Sequence, residues 1–101
     1  IGEEVVIGHS AMIHGCTLES GCLIGIGARV LDGAVVETGA QVGAGAVVPP
    51  GMRVPNGMLA LGVPAKTVRP LSDTERATIV EIAKRYVGVK DTYLADLGRG
   101  Y

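Results

Sequence analysis

Residues 18–48 read LESGCL IGIGAR VLDGAV VETGAQ VGAGAV V, successive blocks of six that each open on an aliphatic residue. Working outward in both directions, the anchors are Ile1, Ile7 and Ile13, then after one short step of five Leu18, Ile24, Val30, Val36, Val42, Val48 and Val54. Four residues after each anchor stands Val5, Ala11, Thr17, Cys22, Ala28, Ala34, Ala40, Ala46, Met52 or Met58. Three residues after it, Gly21, Gly27, Gly33, Gly39, Gly45, Gly51 and Gly57 recur without a break. Glycine tolerates positive φ and close backbone approach, so each unit is predicted to be a short strand followed by a corner. Such a unit cannot bury its own apolar side chain, whereas stacked units share one interior. With three units per coil, Ile1, Leu18, Val36 and Val54 form one ladder, Ile7, Ile24 and Val42 a second, and Ile13, Val30 and Val48 a third.

Composition fits this reading. The chain has 101 residues with 16 Gly and 48% hydrophobic residues, but only 3% aromatic, with no Phe and no Trp. Glycine averages about 7% in ordinary proteins, so a globule centred on aromatic rings is excluded, while a narrow prism with small residues at its corners accounts for both extremes. The net charge is −1 and no Lys/Arg-rich run occurs, which leaves no electrostatic footprint for nucleic acid. The longest uncharged stretch, between Glu37 and Arg53, carries four Gly and two Pro and is unsuited to a membrane helix. Two cysteines make no disulfide framework, so a reducing, cytoplasmic compartment is expected.

The period stops after Met58. Charge shifts from two basic and five acidic residues over 1–58 to seven and five over 59–101. Three segments are expected: coils over 1–58, an extended exit over 59–71 containing Leu61-Gly62-Val63-Pro64-Ala65-Lys66, and a helix over 72–97 packed on the coil. Ser72-Asp73-Thr74-Glu75 is a capping-box signature. Ile79, Ile82, Ala83 and Tyr86 follow at helical spacing, and Val89, Tyr93 and Leu97 continue the stripe past Gly88.

The only two histidines fall together in Gly8-His9-Ser10-Ala11-Met12-Ile13-His14-Gly15-Cys16. Neither occupies an anchor or a small inward position, so both imidazoles are expected to point outward near adjoining corners of the first coil. Two imidazoles on a nearly uncharged face suggest a metal, although surface histidines at this spacing are also common.

The string GHxAxxHGC, followed by Ile24-Gly25-Ile26-Gly27-Ala28, the Gly-x-Pro-Ala-Lys exit at 62–66 and the helix with Tyr93-Leu94, resembles the γ-class carbonic anhydrase family. The resemblance implies a left-handed parallel β-helix of about three coils with a C-terminal α-helix, assembled as a homotrimer. It further implies that His9 and His14 are two of three imidazole ligands to one metal at a subunit interface, contributed by different subunits. The metal it implies is Zn2+, with Fe2+ or Co2+ suited to the same ligands. The reaction it implies is reversible hydration of CO2 to bicarbonate by metal-bound hydroxide. In that family the third histidine lies a coil or more upstream, so the chain is expected to represent the C-terminal portion of a larger protein.

The remaining candidates read as structural. Cys22 falls on an inward small position and Cys16 on a corner, and free cysteine behaves as a small buried hydrophobe. Glu3, Glu4, Glu19, Asp32 and Glu37 read as solvated corner charges, each in principle a proton shuttle; Tyr86 and Tyr93 read as packing residues, and Tyr101 as frayed. Other readings of the same fold are a hexapeptide acyltransferase using one His as general base, an acyl-CoA thioesterase-like relative, and a non-catalytic metal-binding trimer.

Overall fold

The computed structural model describes residues 2 and 4–88, with side chains as far as residue 84. The Ile1 anchor, Glu3, the Tyr86 side chain and the stripe through Val89, Tyr93, Leu94, Leu97 and Tyr101 lie outside the described residues. Nine two-residue strands follow one another: β1 (Val6–Ile7), β2 (Met12–Ile13), β3 (Thr17–Leu18), β4 (Leu23–Ile24), β5 (Arg29–Val30), β6 (Val35–Val36), β7 (Gln41–Val42), β8 (Val47–Val48) and β9 (Arg53–Val54). They stack in parallel as β1-β4-β7, β2-β5-β8 and β3-β6-β9, the three walls of a solenoid of three coils. Registers are Ile7↔Ile24↔Val42, Ile13↔Val30↔Val48 and Leu18↔Val36↔Val54, which are the three ladders read from the anchors.

The interior is aliphatic and small. Ile24, Val30, Val36, Val42, Val48 and Val54 are fully buried, as are Cys22, Ala28, Ala34 and Ala40. Every described residue three after an anchor from Leu18 to Val54 is a glycine at φ between 68° and 75°. In the first coil the equivalent positions are Glu4 (φ 57°) and Ser10 (φ 59°), which take the left-handed conformation without being glycine. A second column, Gly8, Gly25 and Gly43, is glycine for another reason: a Cβ on Gly25 would stand 2.5 Å from the Ala44 backbone nitrogen, and one on Gly8 2.8 Å from that of Ile26.

Beyond the ninth strand, β10 (Met58–Leu61) continues the first wall through Ala60↔Val42, then β11 (Lys66–Pro70) returns antiparallel to it. The exit expected as one extended segment over 59–71 is therefore a hairpin with its turn at 62–65, where Gly62 at φ 100° supplies the reversal. Its turn closes the prism: Val47 donates to the Gly62 carbonyl, Ala65 donates to the Val47 carbonyl, and Ala65 is buried on the end of the core.

Helix α1 (Asp73–Gly88) lies on the outside of the first wall, where Ile79 and Leu71 pack on Leu59 and Leu23. Its start is the capping box: the Glu75 N–H donates to Ser72 Oγ at 3.1 Å and the Ser72 N–H to Glu75 Oε1 at 2.9 Å. Arg69, at the end of β11, grips the same carboxylate with Nη1 at 2.6 Å and Nη2 at 2.8 Å. This fork and the Ser72 amide hold the Glu75 carboxyl down at about 2.

Two outcomes follow. Gly25→Ala should lower stability by about 1–3 kcal/mol through overpacking, whereas Ser10→Gly, relieving a left-handed residue, should gain up to about 1 kcal/mol; denaturant unfolding reads both. Because Glu75 is more acidic folded than unfolded, its contribution is present above about pH 4.5 and is lost as pH falls toward about 2. The melting-temperature gap between wild type and Glu75→Gln should therefore hold at neutral pH and narrow through that window.

Candidate functional site

The solenoid has three corners, and they are not alike. His9 stands at the corner between β1 and β2, His14 at the corner between β2 and β3, and both are exposed. The third corner carries Gly21, Gly39 and Gly57 and faces α1, leaving a cleft of about 260 Å³ lined also by Thr38, Asn56, Arg76, Ile79 and Val80. Neither histidine lines that cleft.

Each corner is fixed by the coil above it. The Gly27 N–H donates to the His9 carbonyl at 2.8 Å, and the His14 N–H donates to the Val30 carbonyl at 3.0 Å. Alternation along β2 then leaves Ile13 packed against the core and Met12 outward, 56% exposed, between the two histidines. Above His9, Ile26 is 62% exposed, and Leu61 and Val63 extend the apolar edge at the top of the same corner.

The His14 imidazole is paired through Nδ1 with the Asp32 carboxylate of the next coil. The sequence treats Asp32 as a solvated corner charge; the structure gives it a partner. Both side chains remain largely open to water, 77% and 67% exposed, and a polar pair so exposed contributes little to stability. The contact joins residues eighteen apart on adjacent coils, about the stacking distance of the repeat, but the repeat does not say which way either side chain turns.

The other corner acids also have partners. Glu19 Oε1 accepts from the Thr38 N–H at 3.1 Å, and Glu37 Oε1 from the Asn56 N–H at 3.1 Å. Arg53 Nη1 reaches Glu37 Oε2 at 2.6 Å, and together with the Asn56 amide holds the Glu37 carboxyl below its ordinary range. Glu19 and Glu37 are thus braces between coils rather than loose surface charges.

Among the described residues no group of three His, Cys, Asp or Glu side chains could hold a metal. The chain's imidazole donors are His9 and His14, separated by the length of β2. Cys16 and Cys22 form no such group with them among the described residues; burial pushes the Cys22 thiol up to about 12 and raises that of Cys16.

No protein-family model matches the chain. It is 54% identical over 92 residues to the Methanocaldococcus jannaschii protein named "Probable carbonic anhydrase", covering 91% of this chain and 58% of that protein. It is 42% identical over 101 residues to "Gamma carbonic anhydrase 2, mitochondrial" of Arabidopsis thaliana, covering 100% and 36%. A crystal structure of a hexapeptide transferase family protein from Anaplasma phagocytophilum superposes with a TM-score of 0.87 at 36% identity, over 92% of this chain and 56% of that one. The chain thus spans between 36% and 58% of the length of the curated relatives it matches.

In the native protein near pH 8, Cys22 should resist a thiol reagent that labels both cysteines in denaturant, as read by peptide mass spectrometry. Labelling of Cys22 at the rate of an open thiol would place it outside the interior.

Proposed function

We propose, for a chain that belongs to the γ-carbonic anhydrase-like hexapeptide-repeat family, that it contributes His9 and His14 to a zinc site shared between subunits and serving hydration of CO2 to bicarbonate. The observation that carries this reading is the pair of exposed imidazoles at successive corners of the first coil, one of them with a carboxylate on its Nδ1. That is the second-sphere partner that metal-ligating histidines ordinarily have.

The donor chemistry fits zinc, since neutral imidazole is a good ligand and an open position remains once three protein donors are in place. Zinc bound there would activate water for addition to CO2 at neutral pH. The chain's own residues do the rest. His9 and His14 stand on corners whose backbone is tied to the coil above, so their Cα positions are preset rather than ordered on binding. Separation by β2 supports the two imidazoles of one chain serving different metals, with the remaining donors coming from elsewhere in the assembly.

The apolar edge of Ile26, Leu61 and Val63 on the His9 corner, with Met12 between the two histidines, supports a subunit interface. Covering it would remove water from around the histidines. A trimer suits the three-sided prism, with CO2 and bicarbonate as the small-molecule substrates.

A second reading, acyl transfer with His14 as general base, is favoured by the His14–Asp32 pair and by the transferase-family neighbour. It needs one imidazole, whereas the metal reading needs both. Metal analysis of the purified protein should find zinc, iron or cobalt near one per subunit; His9→Ala and His14→Ala should each abolish it, with the far-UV circular dichroism unchanged. Absence of metal from the wild type would overturn the reading, and a monomeric mass by light scattering at micromolar concentration would overturn the shared site.

A further inference from the structure

Among the nine short strands described, the one short corner lies beside His14. The corner between β2 and β3 has three residues, 14–16, where the corner stacked on it between β5 and β6 has four, 31–34. The two are aligned by the Gly33 N–H, which donates to the Gly15 carbonyl at 2.9 Å. Asp32 therefore projects over a corner that is one residue short.

The residue beneath it is glycine. A Cβ on Gly15 would stand 2.5 Å from Asp32 Oδ1 and 3.2 Å from its Cγ, so any side chain at position 15 would occupy the place the carboxylate takes. Gly15 also sits at φ 63°. The short step, the glycine and the aspartate act together: the first two clear a seat and the third fills it, against His14 Nδ1.

A carboxylate oxygen accepts in this contact, so the hydrogen between the two side chains is carried by His14 Nδ1. Nε2 is then the bare nitrogen, and with the side chain 77% exposed it is open to an incoming group. A pair so exposed contributes little to folding stability, which leaves orientation as its physical effect.

We propose that Asp32 is a positioning residue that fixes His14 in the Nδ1–H form and presents its Nε2 lone pair outward for metal. This rests on the metal reading above and names the residue that prepares one of its ligands. In this role Asp32 acts through His14 and not as a ligand itself.

The test has two independent readouts on the purified protein. Long-range ¹H–¹⁵N NMR of the His14 ring, recorded without metal, should show hydrogen on Nδ1 in the wild type. Asp32→Ala should move hydrogen onto Nε2, while Asp32→Asn, which keeps an acceptor oxygen, should largely retain the wild-type form. Zinc affinity, measured by competition with a chromogenic chelator, should fall about 10–100-fold in Asp32→Ala and recover in part in Asp32→Asn. An unchanged His14 tautomer in folded Asp32→Ala, or unchanged zinc affinity despite a changed tautomer, overturns the proposal. If the tautomer shifts as expected but the wild type takes up no zinc, the orienting role is upheld and the metal reading alone falls.

Discussion

Everything in this fold depends on one side chain standing directly above another. A two-residue strand has almost no pairing of its own, and it persists because the strand a coil later repeats its register and places aliphatic on aliphatic. Ile7 to Ile24 to Val42 is one such column, fully enclosed in its upper members. A column of this kind accepts no change of phase, since a slip of one residue would turn the inward side chain outward. The period of six is the consequence, and so is the exclusion of aromatic rings from an interior three aliphatic columns wide.

That constraint explains what could be read from the sequence. Anchors, ladders and glycine corners are properties of single positions repeated at fixed spacing, so all of them were visible. The capping box at Ser72 and Glu75 was visible for the same reason, being a local pattern of four residues. The hairpin of β10 and β11 was hidden, because Leu61 to Lys66 carries a proline that argues for extended chain while Gly62 permits a reversal. Glu4 and Ser10 in left-handed corners were hidden as well, since propensity alone argues against them. Their conformations are imposed by the register of the coil that follows.

Side-chain partners across coils were the least legible. Glu19 with Thr38, Glu37 with Asn56 and Arg53, and His14 with Asp32 join residues sixteen to nineteen apart. Composition describes such acids as corner charges and cannot say what stands above them. The outward placement of His9 and His14 was legible, whereas the carboxylate beside His14 emerged only from the stacking of a short corner under a long one.

The distribution of cover over the prism bears on how such a site could work. Helix α1 shields the outside of the first wall and fills the third corner with Ile79 and Arg76, and the cleft it creates holds no imidazole. The histidine corners are convex, and a convex edge gives water free access, which weakens every electrostatic interaction made there. The metal centre proposed for these residues would therefore gain dry, closed surroundings only from a second body laid against the edge. The exposed Met12, Ile26, Leu61 and Val63 are the surface on which such a body would gain most from burial. What the chain supplies by itself is placement: backbone positions tied to the coil above, and one imidazole held by Asp32 through its Nδ1. On the proposed reading, placement comes from stacking within the coil and enclosure would come from assembly between chains.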